Sequence, residues 1–218
     1  MEKFSLIITA GGTSSRYGSK NKLLEMIKSR AVIEYSVSAF LDFREIEEII
    51  IPANLSILDD LDIMFKAYPK IKIIEGGNTR QESVYRALKL VRQKYVIIHD
   101  GARPLIDKDI IQNVINTVIK NKAVSVMTKT VDTIKEVDEI GKIIRTIDRT
   151  RLYNTQTPQA FEYEVIMQAH EKFKNKKNFT DDASMLEELN IPVYIIEGSY
   201  KNIKITSKSD LDFAKLYI

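Results

Sequence analysis

The residues best suited to chemistry stand close to the N-terminus, in a glycine-rich stretch that directly follows a short apolar run. The stretch begins with Ala10, Gly11 and Gly12 and goes on to include Arg16 and Lys22. Small residues let the backbone approach a phosphate closely and direct N–H groups at it. Arginine adds a planar fork of donors, and lysine adds a compact charge. Neither G-x-x-x-x-G-K-[ST] nor G-x-G-x-x-G occurs here, so the alternative is a merely structural turn. The two cations close to the diglycine favour a polyphosphate site of another kind.

A second diglycine turn, within the sequence GGNTRQES, leads into a predicted helix. Thr79 is a suitable N-cap for that helix. Arg80 and Ser83 lie three residues apart, so they share one helical face near its start. The backbone groups of Gly77 and Asn78 could hydrogen-bond the edge of a base. The alternative is an ordinary turn between a strand and a helix.

The sequence HDGARP follows another apolar run. An acid at a strand end, here Asp100, suits a Mg²⁺ ion that nucleotide phosphates bring with them. Arg103 is placed to bind an anion of a second substrate. We interpret His99 as a packed, hydrogen-bonded residue rather than as a catalytic base.

Further polar clusters stand inside or beside apolar runs in the rest of the chain. They occupy residues 132–135, 148–149, 156–159, 180–181 and 202–206. Taken singly, each is typical of a structural role. Together they supply Arg149 and Lys204, two cations that could receive a phosphomonoester.

Short apolar runs alternate with segments of helical periodicity, and these elements must position the polar stretches. The predicted strands are residues 6–9, 49–51, 71–74, 95–98 and 123–127, and the predicted helices between them are residues 31–41, 55–67, 80–91 and 108–120. This alternation predicts an α/β fold with a mostly parallel sheet and helices on both faces. In such a sheet ligands bind beyond the carboxyl ends of the strands, where the glycine-rich stretches lie.

Residues 129–153 break this rhythm. β-Branched residues alternate there around a predicted turn at 138–141, which indicates a β-hairpin or arm. It is interpreted either as a surface hairpin of the same domain or as a dimerisation arm. Beyond it we predict helices at 163–173 and 181–189, a strand at 193–196, an extended piece at 203–206 and a last helix from Asp210. All 218 residues are predicted to form one domain.

Composition narrows the class of protein further. Hydrophobic residues make up 44% and charged residues 29%, and the net charge of +3 is too small to indicate nucleic-acid binding. The absence of cysteine excludes disulfides and thiolate metal sites. The apolar stretch 4–10 is too short for a signal peptide, and no run has the length of a membrane span. We therefore expect a cytoplasmic protein with no membrane partner.

In this order and spacing the stretches resemble the 2-C-methyl-D-erythritol 4-phosphate cytidylyltransferases. The ordered motifs are AGGxxxR–NK, GGNTRQESV, HDGARP, DTIK, TIDR, QTPQAF, TDD and NIKIT, which cover the chain from Leu6 to about Ala214. The resemblance implies a Rossmann-like nucleotidyltransferase fold with a protruding β-arm. It also implies transfer of CMP from CTP to a small polyol phosphate in the non-mevalonate isoprenoid pathway, dependence on Mg²⁺ or another divalent cation, and a homodimer formed through the arm.

The resemblance also implies a role for each matching residue. The implied catalytic residues are Arg16 and Lys22. The implied nucleotide-binding residues are Ala10, Gly11, Gly12, Gly77, Asn78, Arg80, Ser83, Asp100 and Gly101, with Asp100 near the metal. The implied ligands of the polyol phosphate are Arg103, Thr133, Arg149, Thr157 and Lys204.

This chain departs from the family pattern in its first motif. Asn21 precedes Lys22 where relatives commonly have proline, and the loop looks about two residues shorter, so Lys20 competes for the catalytic role. In the third motif, GARP replaces the usual AARP.

The nearest alternative function is a ribitol-5-phosphate cytidylyltransferase. An NAD-dependent oxidoreductase would require G-x-G-x-x-G and an acid after the second strand, and a nucleotide-binding module without activity is the third alternative.

Overall fold

A computed structural model describes residues 1–12, 17, 21–176 and 179–218. The strands are β1 (Phe4–Thr9), β2 (Met26–Ile27), β3 (Arg30–Ala31), β4 (Ile46–Ala53), β5 (Ile71–Glu75), β6 (Tyr95–Asp100), β7 (Ala123–Lys129), β8 (Lys135–Val137), β9 (Ile143–Thr146), β10 (Tyr153–Glu162) and β11 (Tyr194–Glu197). The α-helices are α1 (Val32–Leu41), α2 (Leu58–Phe65), α3 (Arg80–Leu88), α4 (Lys108–Asn121), α5 (Tyr163–Lys172), α6 (Ala183–Glu188) and α7 (Lys208–Lys215). Every strand and helix predicted from the sequence is present, with boundaries shifted by a few residues, whereas β2, β3 and β10 were not predicted.

Seven strands form the central sheet in the order β11-β7-β10-β6-β1-β4-β5. β1 pairs in parallel with both β4 and β6, β4 with β5, and β11 with β7, whereas β10 runs antiparallel between β6 and β7. The chain leaves β1 towards β4 and β5 and then returns to the other side of β1 as β6. The strand order therefore reverses at β1 and β6, and a crevice is expected at their carboxyl ends.

Both faces of the sheet are covered, as the continuous apolar runs of its strands predict. Leu6 and Ile8 of β1 pack with residues of α1, α2 and α4, whereas Ile7 packs with residues of α3, α5 and α6. Successive side chains of a strand point to opposite faces, so one apolar strand serves two core layers. The predicted α/β class with helices on both faces is confirmed.

Strand β10 was missing from the sequence-based prediction. Its sequence YNTQTPQAFE carries several polar residues and Pro158, which has no N–H for a ladder. The structure accommodates the proline by interrupting the pairing with β7 between Thr155 and Gln159. The residues that looked like an isolated polar cluster are thus part of the sheet, beside β6.

The predicted hairpin is present as β8 and β9, which pair antiparallel between the end of β7 and the start of β10. Its turn lies at the predicted place. Asp138 accepts the backbone N–H groups of Ile140 and Lys142, and Gly141 has φ +83°, a conformation that favours glycine. Each helix in the described part of the chain is too short or too polar to span a lipid bilayer.

Candidate active site

A pocket of about 330 Å³ opens at the carboxyl ends of β1 and β6, where the strand order predicts a crevice. The predicted site residues that line it are Ala10, Gly11, Gly12, Lys22, Asn78, Arg80, Ser83, Asp100 and Lys204. They come from four separate parts of the sequence. The structure therefore brings most of the predicted nucleotide-binding residues together, with one of the predicted phosphate ligands.

The first glycine-rich stretch leaves β1 in close contact with the start of α3. Ala10 donates its N–H to Pro52 at 3.1 Å, which fixes the backbone beside β4. A Cβ atom at Gly11 would lie 2.7 Å from Oγ of Ser83, too close for any side chain there. Arg16 lies outside the described residues, so its catalytic role stays a prediction. Lys20, the competitor of Lys22 for the catalytic role, also lies outside them.

Lys22 begins a short 3₁₀ turn, Lys22–Leu24, at the edge of the pocket. Asn21 caps this turn, since its Oδ1 accepts the N–H of Leu23 at 3.1 Å. Leu23 is buried in the hydrophobic core and anchors the turn. Asparagine can thus occupy the position where relatives commonly have proline and still present Lys22 to the pocket.

The second diglycine turn is stabilised by the first turn of α3. Thr79 is the N-cap, as predicted, and its Oγ1 accepts the N–H of Glu82 at 3.0 Å. The hydroxyl of Ser83 accepts the N–H of Gly77 at 2.9 Å and donates to the carbonyl of Thr79 at 2.9 Å. Ser83 therefore shapes the loop from within, and the loop presents Asn78 and Arg80 to the pocket.

Asp100, at the end of β6, is the electrostatic centre of the pocket. Its carboxylate lies 2.9 Å from Nζ of Lys204, 3.5 Å from Nε of Arg103 and 3.6 Å from Nε of Arg80. Burial alone would raise the pKa of Asp100, but these three cations outweigh it and hold the pKa well below its usual range. The carboxylate therefore stays ionised, and it orients Arg80 and Lys204 at the pocket wall and Arg103 behind it.

Two predicted phosphate ligands lie behind Asp100 rather than among the residues that line the pocket. Arg103 is nearly buried, and its Nη1 donates to the carbonyl of Asn202 at 2.7 Å. Oγ1 of Thr157 accepts the backbone N–H of Asp100 at 3.0 Å. In this arrangement both residues support Asp100 and the strand end that carries it.

His99 is completely buried and contacts both Arg103 and Thr157, the two residues that support Asp100. Its Nε2 lies 3.1 Å from the carbonyl oxygen of Arg103, and its Nδ1 lies 3.1 Å from Oγ1 of Thr157. Because a carbonyl oxygen can only accept, Nε2 carries the hydrogen and the neutral ring satisfies both contacts. Burial lowers the pKa of His99 to about 4. The ring is a packed structural element, as its place at a strand end indicated.

The stability of the protein should therefore depend on pH through His99. The unfolded chain takes up this proton below about pH 6.5, whereas the folded protein does so only near pH 4, so stability is lost as the pH falls through that interval. Between pH 7 and pH 5 we expect the free energy of unfolding to fall by about 2 kcal/mol more in the wild type than in His99→Gln. Urea unfolding at the two pH values measures this difference. Equal losses in the two proteins would contradict the neutral, buried assignment.

Thr133 and Arg149 belong to the arm and are exposed. Neither lines the pocket of its own chain, and the guanidinium of Arg149 donates to the carbonyl of Val131 within the arm. A single chain therefore does not bring these two predicted phosphate ligands to Lys22 and Lys204.

The structure also reveals residues that the sequence reasoning missed. Oδ2 of Asp182 lies 2.7 Å from Nη2 of Arg80, and Asp182 is completely buried. Asp182 belongs to the motif TDD, but the sequence reasoning assigned it no role. Tyr17 and Thr206 also line the pocket.

No group of three or more carboxylate or imidazole side chains that could cage a metal ion occurs among the described residues. Asp100 is a carboxylate that lines the pocket and stays ionised. This donor set fits a divalent cation that is held mainly by nucleotide phosphates, with Asp100 as its protein ligand, rather than a resident metal held by protein alone.

An open α/β sheet with a cation-lined pocket at its switch point is typical of Rossmann-like, nucleotide-binding enzymes. The family model "IspD: 2-C-methyl-D-erythritol 4-phosphate cytidylyltransferase" matches residues 4–218. The chain is 43% identical over 220 residues to the 2-C-methyl-D-erythritol 4-phosphate cytidylyltransferase of Dictyoglomus thermophilum, which covers 97% of this chain and 94% of the relative. It is 38% identical to the protein of the same name from Clostridium tetani, covering 100% of this chain and 91% of that one.

The solved structures agree with this assignment. The crystal structure of 4-diphosphocytidyl-2C-methyl-D-erythritol synthase from Anaerococcus prevotii superposes with a TM-score of 0.88 at 32% identity, covering 99% of this chain and 96% of that one. This chain therefore belongs to the 2-C-methyl-D-erythritol 4-phosphate cytidylyltransferase family.

Proposed function

We propose that this protein transfers CMP from CTP to 2-C-methyl-D-erythritol 4-phosphate and releases pyrophosphate. The observation that carries the proposal is the pocket at the carboxyl ends of β1 and β6, where Lys22, Arg80 and Lys204 approach a single cavity from distant parts of the chain. Two anionic reactants can meet only where such charges offset their repulsion. The family to which the chain belongs supplies the identity of the substrates.

The positions of the predicted nucleotide-binding residues favour one orientation of CTP in this pocket. The backbone at Ala10, Gly11 and Gly12 and the ammonium of Lys22 would receive the triphosphate. The loop at Gly77 and Asn78, together with the start of α3, would receive cytosine. Gly101 follows Asp100, and a Cβ atom there would lie 3.0 Å from the carbonyl oxygen of Thr9, so glycine lets the chain after β6 pack closely beside β1. Gly101 does not line the pocket, and its contact with the ribose stays a prediction.

The chemical step is a displacement at phosphorus. A phosphate oxygen of the polyol phosphate attacks the α-phosphorus of CTP, the new P–O bond forms, and the bond to the pyrophosphate leaving group breaks. The attacking oxygen is already deprotonated, so the step needs no general base, which agrees with the buried, neutral state of His99. The protein contributes positioning and charge compensation. Lys22, with Arg16, would stabilise the extra negative charge on the α-phosphate, and Lys204 would orient the nucleophile.

A divalent cation bound with CTP would neutralise charge on the phosphates, with Asp100 as its ligand from the protein. Arg80, Arg103 and Lys204 already fix that carboxylate in place. They would hold it ionised and oriented when the nucleotide arrives.

We further propose that the protein acts as a homodimer in which the arm of one subunit completes the pocket of the other. The arm carries exposed apolar side chains, with Ile140 at 88% and Ile143 and Ile144 at 58% of full exposure. Such a surface favours contact with another protein. Two of the predicted phosphate ligands, Thr133 and Arg149, lie on this arm and not at the pocket of their own chain.

An assay of pyrophosphate release tests the proposed function. We expect release from CTP with 2-C-methyl-D-erythritol 4-phosphate, and only when Mg²⁺ or a similar cation is present. Ribitol 5-phosphate in place of the first acceptor should give at most a few per cent of that rate, since discrimination between polyols of similar size rests on a few polar contacts. Preferred use of ribitol 5-phosphate would favour the sister activity. Equal rates in excess chelator would overturn the metal dependence.

A further inference from the structure

Arg80, which lines the nucleotide pocket, is held from behind by a buried acid. Nη2 of Arg80 lies 2.7 Å from Oδ2 of Asp182, whereas the distance from its Nε to Asp100 is 3.6 Å. Asp182 stands immediately before α6, and its backbone N–H donates to Oε1 of Gln159 at 3.1 Å. The shorter of the two ion pairs, with Asp182, therefore holds the guanidinium of Arg80 from the interior of the protein.

A second buried group holds the other oxygen of that acid. Nε2 of His170, on α5, lies 3.2 Å from Oδ1 of Asp182, and the side chains of both residues have no solvent exposure. Burial would raise the pKa of Asp182, but Arg80 and His170 together hold it below its usual range. An ionised carboxylate can only accept, so Nε2 of His170 carries the hydrogen and donates it.

We propose that His170 is a positioning residue for nucleotide binding, acting through Asp182 on Arg80. The hydrogen bond from Nε2 fixes the rotation of the Asp182 carboxylate, and the carboxylate in turn fixes the guanidinium at the pocket wall. His170 is not among the residues that line the pocket, so this action is indirect. The inference rests on the proposed binding of CTP in that pocket.

A packing role for the same ring is the competing explanation. The ring of His170 stacks on Tyr85 of α3, with centroids 6.2 Å apart and planes at 3°. The two roles use different parts of the side chain, because packing needs the flat ring and positioning needs the donor at Nε2. Two substitutions separate them. His170→Phe keeps a ring and removes the donor, and His170→Gln keeps a donor near the Nε2 position and removes the ring.

The test measures the Kd for CTP by calorimetry, together with KM for CTP and kcat in the pyrophosphate assay. For His170→Phe we expect Kd and KM for CTP to rise about tenfold, with kcat within about twofold of wild type, because a buried charged acceptor loses its donor. His170→Gln should stay within about threefold of wild type in all three. The opposite order, or equal losses in both variants, would show a packing role and overturn the proposal.

A third variant shows whether His170 acts through Arg80. In an Arg80→Ala background, His170→Phe should leave the Kd for CTP unchanged, and an added tenfold loss there would contradict the proposed route. If His170→Phe does not fold, a tenfold loss of CTP affinity in folded His170→Gln still overturns the proposal. A wild-type protein that binds CTP without turning it over would remove the proposed reaction alone, and one that does not bind CTP would remove both.

Discussion

Replacing Lys22 with alanine is expected to lower kcat about 10²–10³-fold, the loss seen when one preorganised donor to a developing charge is removed. Lys22 lines the pocket beside the glycine-rich stretch and would compensate negative charge on the α-phosphate of CTP as the new bond forms. The fold should survive, since the turn that carries Lys22 is anchored by Leu23 and capped by Asn21. Pyrophosphate release measures the rate, and thermal unfolding checks the fold.

Lys66→Ala is the matched control, because Lys66 is an exposed lysine at the end of α2 and does not line the pocket. It should retain the wild-type rate. The competing lysine is Lys20, so Lys20→Ala belongs in the same series. If Lys20→Ala lost activity and Lys22→Ala kept it, the catalytic assignment would move to Lys20.

Two inactive variants should restore each other if the arm completes the site of its partner. Arg149→Ala is expected to lose about 10²-fold in rate, since a charge-assisted contact with the polyol phosphate disappears. In a dimer of one Lys22→Ala chain and one Arg149→Ala chain, one site receives both intact residues and the other site receives neither. Random pairing of coexpressed chains should therefore regain about a quarter of the wild-type activity.

The rate of the coexpressed mixture is compared with the rates of the two parents. A mixture no more active than their mean would show that Lys22 and Arg149 do not act across a subunit boundary. Arg145→Ala provides a control on the same arm, because Arg145 is exposed and pairs with Glu136 inside the hairpin. Its activity should stay close to that of the wild type.

The sequence predicted much of the fold because strands buried on both faces must be apolar throughout. Runs such as β1 and β6 therefore stood out between segments of helical periodicity. It also predicted much of the pocket, since ligands gather where parallel strands end and the residues after those strands are few. Thr79 as an N-cap and Gly141 in the arm turn followed from local backbone chemistry, which involves only neighbouring residues.

Strand β10 could not be predicted in this way because its place in the sheet depends on partners far along the chain. Gln159 of β10 is buried, with its side chain bonded to Ser125 and Asp181, so a polar residue fits a core strand there. The spacing of apolar residues along the chain does not show which distant residues will form hydrogen bonds with each other. For the same reason the sequence did not indicate that Asp182 and His170 stand behind Arg80.

The burial of Arg103 could not be predicted from the sequence either. A guanidinium near a predicted anion site looks like a ligand, but this one is turned inward to the carbonyl of Asn202 and to Asp100. Only the three-dimensional arrangement distinguishes a cation that faces a substrate from one that supports its neighbours. The predicted role of Arg103 as a ligand of the polyol phosphate stays a prediction.

A crystal structure with CTP and Mg²⁺ tests most directly whether cations from distant parts of the chain form one site for CTP and the polyol phosphate. We expect cytosine against Asn78 at the start of α3, and the triphosphate along Gly11 and Gly12 with Lys22 beside the α-phosphate. We also expect the arm of a second subunit to place Arg149 at the mouth of the same pocket. A nucleotide bound away from the carboxyl ends of β1 and β6, or a triphosphate out of reach of Lys22, would contradict this account of the site.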